Sequence, residues 1–195
     1  MSENRRVVLS MYLTLDGYNE FPSYPGSGDP PASVTDPVSE QMWTKRWGTI
    51  DTLLFDRETF DQWAEFWPTA MRSSEEHPWY RQMSEFAEAA HKIVFSDSSI
   101  PDAWRNSRTV GGDVTTALSE LKREPGKNMV VVAPALGMEL ARRGLVDEYL
   151  FAVQPVILGK GRRFFGELPN QQTLRLLEAQ YFKAGELFLR YETVR

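Results

Sequence analysis

The stretch MVVVAPALGMELARRG, which runs from Met129 to Gly144, decides the fold of this chain of 195 residues. Its first five residues, through Ala133, form an apolar run of the kind found in buried parallel strands. The spacing of the residues that follow predicts a helix over Leu136 to Arg143, with Gly144 in the usual position after a helix C-terminus. A strand followed at once by a helix is the repeating unit of an α/β sheet.

The same unit recurs through the first two thirds of the chain. Apolar and β-branched runs predict strands at 7–15, 52–55, 92–96 and 108–110. Helical spacing predicts helices at 37–47, at 57–66 with a stop at Pro68, from Pro78 onward, and at 114–121. This alternation predicts an α/β fold with a mostly parallel central sheet flanked by helices.

The last third of the chain has a different pattern. Three long strands are predicted at 148–156, 174–182 and 186–194, and the last two are joined by a short turn that contains Gly185. We therefore expect an antiparallel C-terminal hairpin at the edge of the sheet. Because a long apolar edge strand favours pairing with another chain, we also expect a homodimer.

Length and composition limit the function classes. At roughly 150 residues per domain, the length predicts a single domain over residues 1–195. The formal net charge of −5 argues against nucleic-acid binding, which needs a basic face. The chain has no cysteine, and its two histidines lie fourteen positions apart, so we expect no metal site. The apolar N-terminal run is too short for a signal or a membrane helix, which leads us to expect a cytoplasmic protein.

The segment from Glu20 to Asp36 contains four prolines and two glycines, so regular structure is not expected there. Two interpretations stay open at this point. The segment is either a lid or binding loop, or a surface insertion without a role.

Four motifs resemble, in chain order, those of bacterial proteins with a dihydrofolate reductase-like fold, similar to the C-terminal reductase domain of the bifunctional riboflavin-biosynthesis deaminase/reductase. They are TLDGY at 14–18, DTLLFDRETF at 51–60, KIVFS at 92–96, and GLVDEY at 144–149 with QPVILG and GRRFF at 154–159 and 161–165. The resemblance extends from about residue 6 to residue 194. It implies an NADPH- or NADH-dependent reductase that acts by hydride transfer on a small heterocycle, either a pterin or a ribosylamino-pyrimidine as in riboflavin biosynthesis.

Asp16 is the candidate catalytic residue, because it is the carboxylate expected at the carboxyl end of the first strand. It would orient the substrate or help to deliver a proton from water, or it would only form a turn with Gly17. The alternation along the strand places Tyr12 and Thr14 on one side, but the spacing does not tell whether that side is the cleft or the core.

Arg57 and Thr59 open a helix after the second strand, where free N–H groups and the helix dipole favour an anion. In the family this arginine and threonine meet the cofactor phosphates. Gly111 and Gly112 either contact the adenine side of the cofactor or only make a turn in which Asp113 caps the next helix. The remaining cofactor contacts that the resemblance implies are from Tyr12, Thr14, Ser96, Ala133, Ala135 and Leu136.

Three residues depart from the family pattern. Asp56 stands in place of a glycine, Asp97 in place of an arginine, and Pro134 in place of a glycine whose N–H approaches the pyrophosphate. Two negative charges and a lost donor would weaken NADPH binding by a few kcal/mol, at roughly 1–3 kcal/mol for each charged hydrogen bond. Three alternatives to NADPH use follow from this. The protein prefers NADH, binds another nucleotide-like ligand, or carries out no redox chemistry.

Two other functions therefore compete with the reductase. One is a ligand-binding or regulatory member of the same fold without catalysis. The other is a structural dimer module whose cleft is filled by the segment from Glu20 to Asp36. The tryptophans at positions 47, 63 and 67 are typical core residues that would also suit the wall of a pocket for a flat ring.

Overall fold

The computed structural model describes residues 5–19, 37–70, 78–100, 104–183 and 185–195. Its helices and strands alternate in the predicted order. The strands are β1 (Val7–Thr14), β2 (Ile50–Asp56), β3 (His91–Phe95), β4 (Ser107–Val110), β5 (Asn128–Val131), β6 (Glu148–Gln154), β7 (Leu174–Tyr181) and β8 (Leu187–Thr193). The helices are α1 (Pro37–Trp47), α2 (Arg57–Ala70), α3 (Pro78–Ala89), α4 (Val114–Leu121) and α5 (Pro134–Arg142).

The eight strands form one sheet in the order β4-β3-β2-β5-β1-β6-β8-β7. The six strands from β4 to β6 are parallel, whereas β8 pairs antiparallel with both β6 and β7. This arrangement confirms the predicted fold class, a mostly parallel α/β sheet with an antiparallel C-terminal hairpin. Gly185 in the hairpin turn has a φ of 88°, a conformation that favours glycine.

Each face of the sheet carries its own core and its own helices. On the first face, Trp43 of α1, Trp67 of α2 and Met83 of α3 pack in one cluster with β-strand residues such as Leu53 and Phe188. On the second face, α4 and α5 pack on a cluster that contains Leu9, Leu13 and Val131. This division follows from the alternation of side chains along each strand. Helices α1 to α3 therefore cover one face, and α4 and α5 cover the other.

Helix α2 continues beyond the predicted stop at Pro68 and ends at Ala70, so that prediction was wrong. Proline lacks the N–H that the carbonyl of Ala64 would otherwise accept. Trp67 is buried and its carbonyl accepts a hydrogen bond from the hydroxyl of Ser84 in α3. Packing of α2 against α3 thus stabilises the turn that contains the proline.

The acidic residues of the GLVDEY motif lie at the amino edge of the parallel strands. Asp147 accepts hydrogen bonds from the N–H of Val7, at 2.7 Å, and from Lys122 Nζ, at 2.6 Å. Glu148, which is buried, accepts from two guanidinium nitrogens of Arg190 at 2.6 and 3.0 Å. These carboxylates fasten the starts of β1 and β6 to each other and to the middle of β8, so the motif has a structural role here.

Within the described ranges, no helix has the length and the apolar character needed to cross a membrane. The proline-rich segment from Glu20 to Asp36, for which a lid or an insertion was predicted, lies outside the described residues.

Candidate functional site at the carboxyl edge of the sheet

A cavity of about 160 Å³ opens at the carboxyl ends of the parallel strands, between β1, β5 and the start of α2. The strands β1 and β5 are neighbours, yet the helices that follow them, α1 and α5, lie on opposite faces of the sheet. Such a change of direction leaves a crevice at the strand ends, which is where ligands bind in open α/β sheets. The described part of the lining consists of Met11, Tyr12, Asn19, Thr59, Gln62, Trp63, Phe66, Trp67, Val132 and Pro134.

Local structure explains why these side chains meet. Tyr12 belongs to the side of β1 that faces α1 and α2, which settles the question that the sequence left open. In α2, Thr59, Gln62 and Trp63 lie three and four residues apart and so share one face of the helix. Pro134 is the first residue of α5, where its fixed φ suits a helix start.

One wall of the cavity is aromatic. The ring of Trp63 lies 5.4 Å from that of Trp67 and 5.3 Å from that of Phe55, measured between centroids. Phe66 packs edge-on against Trp67 at 5.0 Å. Pockets for drug-sized ligands have volumes of about 300 Å³ or more. The cavity is smaller, and its volume and its apolar wall suit one flat ring.

The two helix starts next to the cavity differ in what they offer an anion. At the start of α2, the N–H of Thr59 donates to Asp56 Oδ1 at 2.8 Å, so this helix is capped by its own carboxylate. At the start of α5, Ala133 provides no side-chain cap. Because the first N–H groups of a helix have no partner within it, those of Ala135 and Leu136 are available to a ligand or to water.

Arg57 does not reach into the cavity lining. Its guanidinium forms an ion pair with Asp61 at 2.8 Å and donates to the carbonyl of Ser99 at 3.0 Å. It therefore connects α2 to the segment that follows β3. Of the predicted pair of anion-binding residues, only Thr59 lines the cavity.

Asp16 is engaged in holding a loop. Its carboxylate accepts hydrogen bonds from the hydroxyl of Thr14 at 2.6 Å and from the N–H groups of Gly159 and Leu158 at 2.8 and 3.1 Å. These hydrogen bonds, that of Thr14 foremost, lower the pKa of Asp16 to about 2. Asp16 is thus ionised at neutral pH and accepts, rather than donates, hydrogen bonds.

Thr14 is part of the same turn. It is 1% exposed, and its hydroxyl accepts from the N–H of Tyr18 at 2.9 Å while donating to Asp16. A direct contact between Thr14 and a cofactor remains a prediction, and the geometry assigns its hydroxyl to the turn.

The residues predicted for the adenine side meet at the ends of β3 and β4. Ser96 Oγ accepts from the N–H of Ser98 at 3.1 Å, and Asp97 Oδ1 accepts from the N–H of Gly112 at 3.0 Å. The interpretation of Asp113 as a helix cap is confirmed, since its side chain accepts from the N–H groups of Thr115 and Thr116. Contacts from Ser96, Gly111 and Gly112 to a cofactor remain predictions.

Sequence reasoning identified Trp63 and Trp67 as candidate wall residues, and it missed Met11, Asn19, Gln62, Phe66 and Val132. Gln62 was detectable, because it lies on the helix turn that follows Thr59. Asn19 and Val132 carry no local signal, since the pairing of distant strands brings them to the cavity.

Comparison with known proteins places the chain in a family. The sequence model of the RibD C-terminal domain matches residues 5–188. Among sequence relatives, the uncharacterized protein YyaP of Bacillus subtilis (strain 168) is 25% identical over 190 residues, which cover 97% of this chain and 95% of that protein.

Solved structures show the same fold. A putative riboflavin biosynthesis protein from Shewanella sp. PV-4 superposes with a TM-score of 0.71 at 17% identity, covering 97% of this chain and 99% of that one. Dihydrofolate reductase from Enterococcus faecalis, solved in complex with NADP(H), superposes with a TM-score of 0.55 at 12% identity, covering 97% of each chain. The fold is therefore reductase-like, and the chain belongs to the RibD C-terminal domain family.

Proposed function

We propose that this protein is a reductase of a small heterocycle that uses a reduced nicotinamide dinucleotide, with a pterin or a ribosylamino-pyrimidine as the substrate class. The observation that carries the proposal is the position of the cavity, at the crevice between β1 and β5 where the chain changes direction. The family membership and the aromatic wall formed by Trp63 and Phe66 support the same conclusion.

The residues present fit a nicotinamide dinucleotide in two respects. The cavity has the volume and the apolar wall for one ring, and the uncapped start of α5 offers the N–H groups of Ala135 and Leu136 to a pyrophosphate. When bound, the cofactor supplies a hydride to an electron-poor carbon of a C=N or C=O bond, whose nitrogen or oxygen takes up a proton.

The chain contributes mainly position and exclusion of water. Tyr12, Trp63 and Pro134 all line the cavity, so they would confine a ring bound there and limit its orientations. Because Asp16 is ionised and its carboxylate holds the loop at Gly159, we propose that the proton comes from water rather than from this residue.

The experiment is a spectroscopic assay of NADH and NADPH oxidation with a panel of oxidised and dihydro pterins and ribosylamino-pyrimidines. We expect turnover with at least one of these compounds. Gln62 is exposed at the rim of the cavity, so Gln62→Trp should obstruct the entrance without disturbing the core, and Gln62→Ala serves as the control that leaves it open. If Gln62→Trp loses turnover while Gln62→Ala retains it, the result supports the cavity as the site of the reaction. Equal turnover in both variants would place the reaction elsewhere.

A second candidate function, a ligand-binding protein without catalysis, is favoured by one observation. The carboxylate of Asp56 already occupies the start of α2, where the family would hold a phosphate. If this alternative holds, we expect the tryptophan fluorescence to change when a heterocycle is added, while neither NADH nor NADPH is oxidised.

Since β1 to β8 form one sheet, we also propose that the chain acts as a single domain.

A further inference from the structure

The carboxylate of Asp97 lies directly on the glycine turn that follows β4. Its Oδ1 accepts a hydrogen bond from the N–H of Gly112 at 3.0 Å. A Cβ added at Gly111 would lie 2.8 Å from the same oxygen, so the absence of a side chain at Gly111 allows this close approach. Gly112 has a φ of 81°, which favours glycine at the second position of the turn.

Asp97 lies on the same edge of the sheet as the cavity. It follows the carboxyl end of β3, and the order β3-β2-β5-β1 places three strand spacings between β3 and β1. At about 4.8 Å per spacing, the separation is roughly 14 Å. A dinucleotide whose nicotinamide ring is near Tyr12 and whose pyrophosphate is near the start of α5 would extend its adenosine towards Asp97.

Among the residues that the structure describes, no cation forms an ion pair with Asp97. Arg57 contacts the segment after β3 through the carbonyl of Ser99, but it is paired with Asp61. Arg143 is paired with Asp113, which is the next residue after the glycine turn. An adenosine in this place would therefore meet the carboxylate of Asp97, whereas the carboxylate of Asp113 is already paired with Arg143.

We propose that Asp97 determines the specificity of the chain for NADH, by accepting hydrogen bonds from the free hydroxyls of the adenosine ribose and by repelling a 2′-phosphate. This inference rests on the proposed function. Asp97 is exposed, and a carboxylate that uses one lone pair on Gly112 has further acceptor sites for hydroxyl groups. A 2′-phosphate would add up to about two negative charges beside it. An acidic residue that accepts from the ribose hydroxyls is a general solution for preferring NADH over NADPH.

The test measures the dissociation constants of NADH and NADPH by quenching of tryptophan fluorescence, in the unmodified chain and in Asp97→Ser and Asp97→Arg. We expect NADH to bind about tenfold or more tightly than NADPH in the unmodified chain, the effect of one charged hydrogen bond. Asp97→Ser should reduce this ratio about tenfold, and Asp97→Arg should invert it. Glu120→Gln is the matched control, because it changes the net charge at an exposed site on α4 and should leave the ratio unchanged.

The results that would contradict the specificity assignment differ from those that would contradict the reductase function. If NADPH binds at least as tightly as NADH, or if Asp97→Ser leaves the ratio unchanged, the specificity assignment is wrong while the reductase function stands. If neither dinucleotide binds, the reductase function and the specificity assignment both fail. If Glu120→Gln changes the ratio of the NADH and NADPH dissociation constants as much as Asp97→Ser does, the effect is one of net charge. This result would also overturn the role of Asp97.

Discussion

The carboxylate of Asp16 ties the end of β1 to the segment after β6, because its Oδ2 accepts a hydrogen bond of 2.8 Å from the N–H of Gly159. The same connection is reinforced by the N–H of Phe164, which donates to the carbonyl of Gly17 at 2.8 Å, and by Arg163, whose guanidinium lies 5.6 Å from the ring centre of Tyr18. The loop that carries Lys160, Arg162 and Arg163 is thus fastened to the turn at Asp16 and Gly17, close to Asn19 in the cavity lining.

Replacement of Asp16 by alanine should release this loop. Because two N–H groups lose their acceptor, we expect faster hydrogen exchange at Leu158 and Gly159 and unchanged exchange in the core strand β5. Glu167→Gln, at an exposed position of the same connection, is the control. Since the pKa of Asp16 is lowered to about 2, the clamp forms when the carboxyl is ionised and is lost only as the pH falls through about 2. Intact protection in Asp16→Ala would contradict the clamp.

Lys92 should make the protein more stable as the pH rises above 8. Its side chain is 0% exposed, donates to the carbonyls of Glu88, Ala90 and Arg105, and lies 4.5 Å from the ring centre of Trp104. Burial lowers its pKa to about 8 from a usual 10.5. Between these values the unfolded chain binds more protons than the folded one, so the free energy of unfolding increases with pH.

The expected gain between pH 7 and pH 9 is about 1 kcal/mol, measured by urea unfolding at both values. Lys92→Met should abolish this part of the pH dependence, because the titrating group is gone. Lys45→Met removes an exposed lysine instead and should preserve it. The same pH dependence in Lys92→Met as in the unmodified chain would assign the effect to other groups.

Gly137 allows α5 to approach the sheet, and a larger residue should destabilise the fold. A Cβ at this position would lie 2.5 Å from Cδ1 of Leu9, which is fully buried. We expect Gly137→Ala to lower the free energy of unfolding by about 1–2 kcal/mol, since overpacking outweighs the better helix propensity of alanine. Urea unfolding measures the change. In a Leu9→Ala background the same substitution should cost nothing, and an equal cost in both backgrounds would locate the strain elsewhere.

The homodimer expected from the sequence remains a prediction, and β7 is the strand that would form its interface. It is the last strand of the sheet, and it exposes Leu176 to 51% and Tyr181 to 81%. We expect light scattering coupled to size-exclusion chromatography to give the mass of a dimer. Leu176→Lys with Tyr181→Lys should give a monomer because charged residues on an edge strand oppose pairing. Val38→Lys, an exposed apolar position on α1, is the control. A monomeric unmodified chain would refute the prediction.

The sequence predicted the elements whose patterns are local. The apolar run after Met129 became β5, and the strand order along the chain was correct throughout. The prediction for Pro68 was wrong because a tertiary contact, between the carbonyl of Trp67 and the hydroxyl of Ser84, stabilises a turn that the local rule would break. The glycine at position 137 had no explanation in the sequence, since the side chain that needs the space belongs to β1.

The candidate site was predicted only in part. Thr59 lines the cavity at the helix start to which the sequence assigned it, whereas the place of Tyr12 in the lining became clear only from the structure. The sequence could not predict the hydrogen-bond partners of Asp16 and Asp97. Gly159 lies 143 residues away from Asp16 in the chain, and Gly112 lies 15 residues away from Asp97. The sequence by itself determined the α/β architecture and the edge of the sheet at which we expect a ligand, because apolar periodicity and chain order specify both. Only the tertiary structure decided which carboxylates are engaged and which remain available to a ligand, because hydrogen bonds between distant strands and loops depend on how the sheet brings them together.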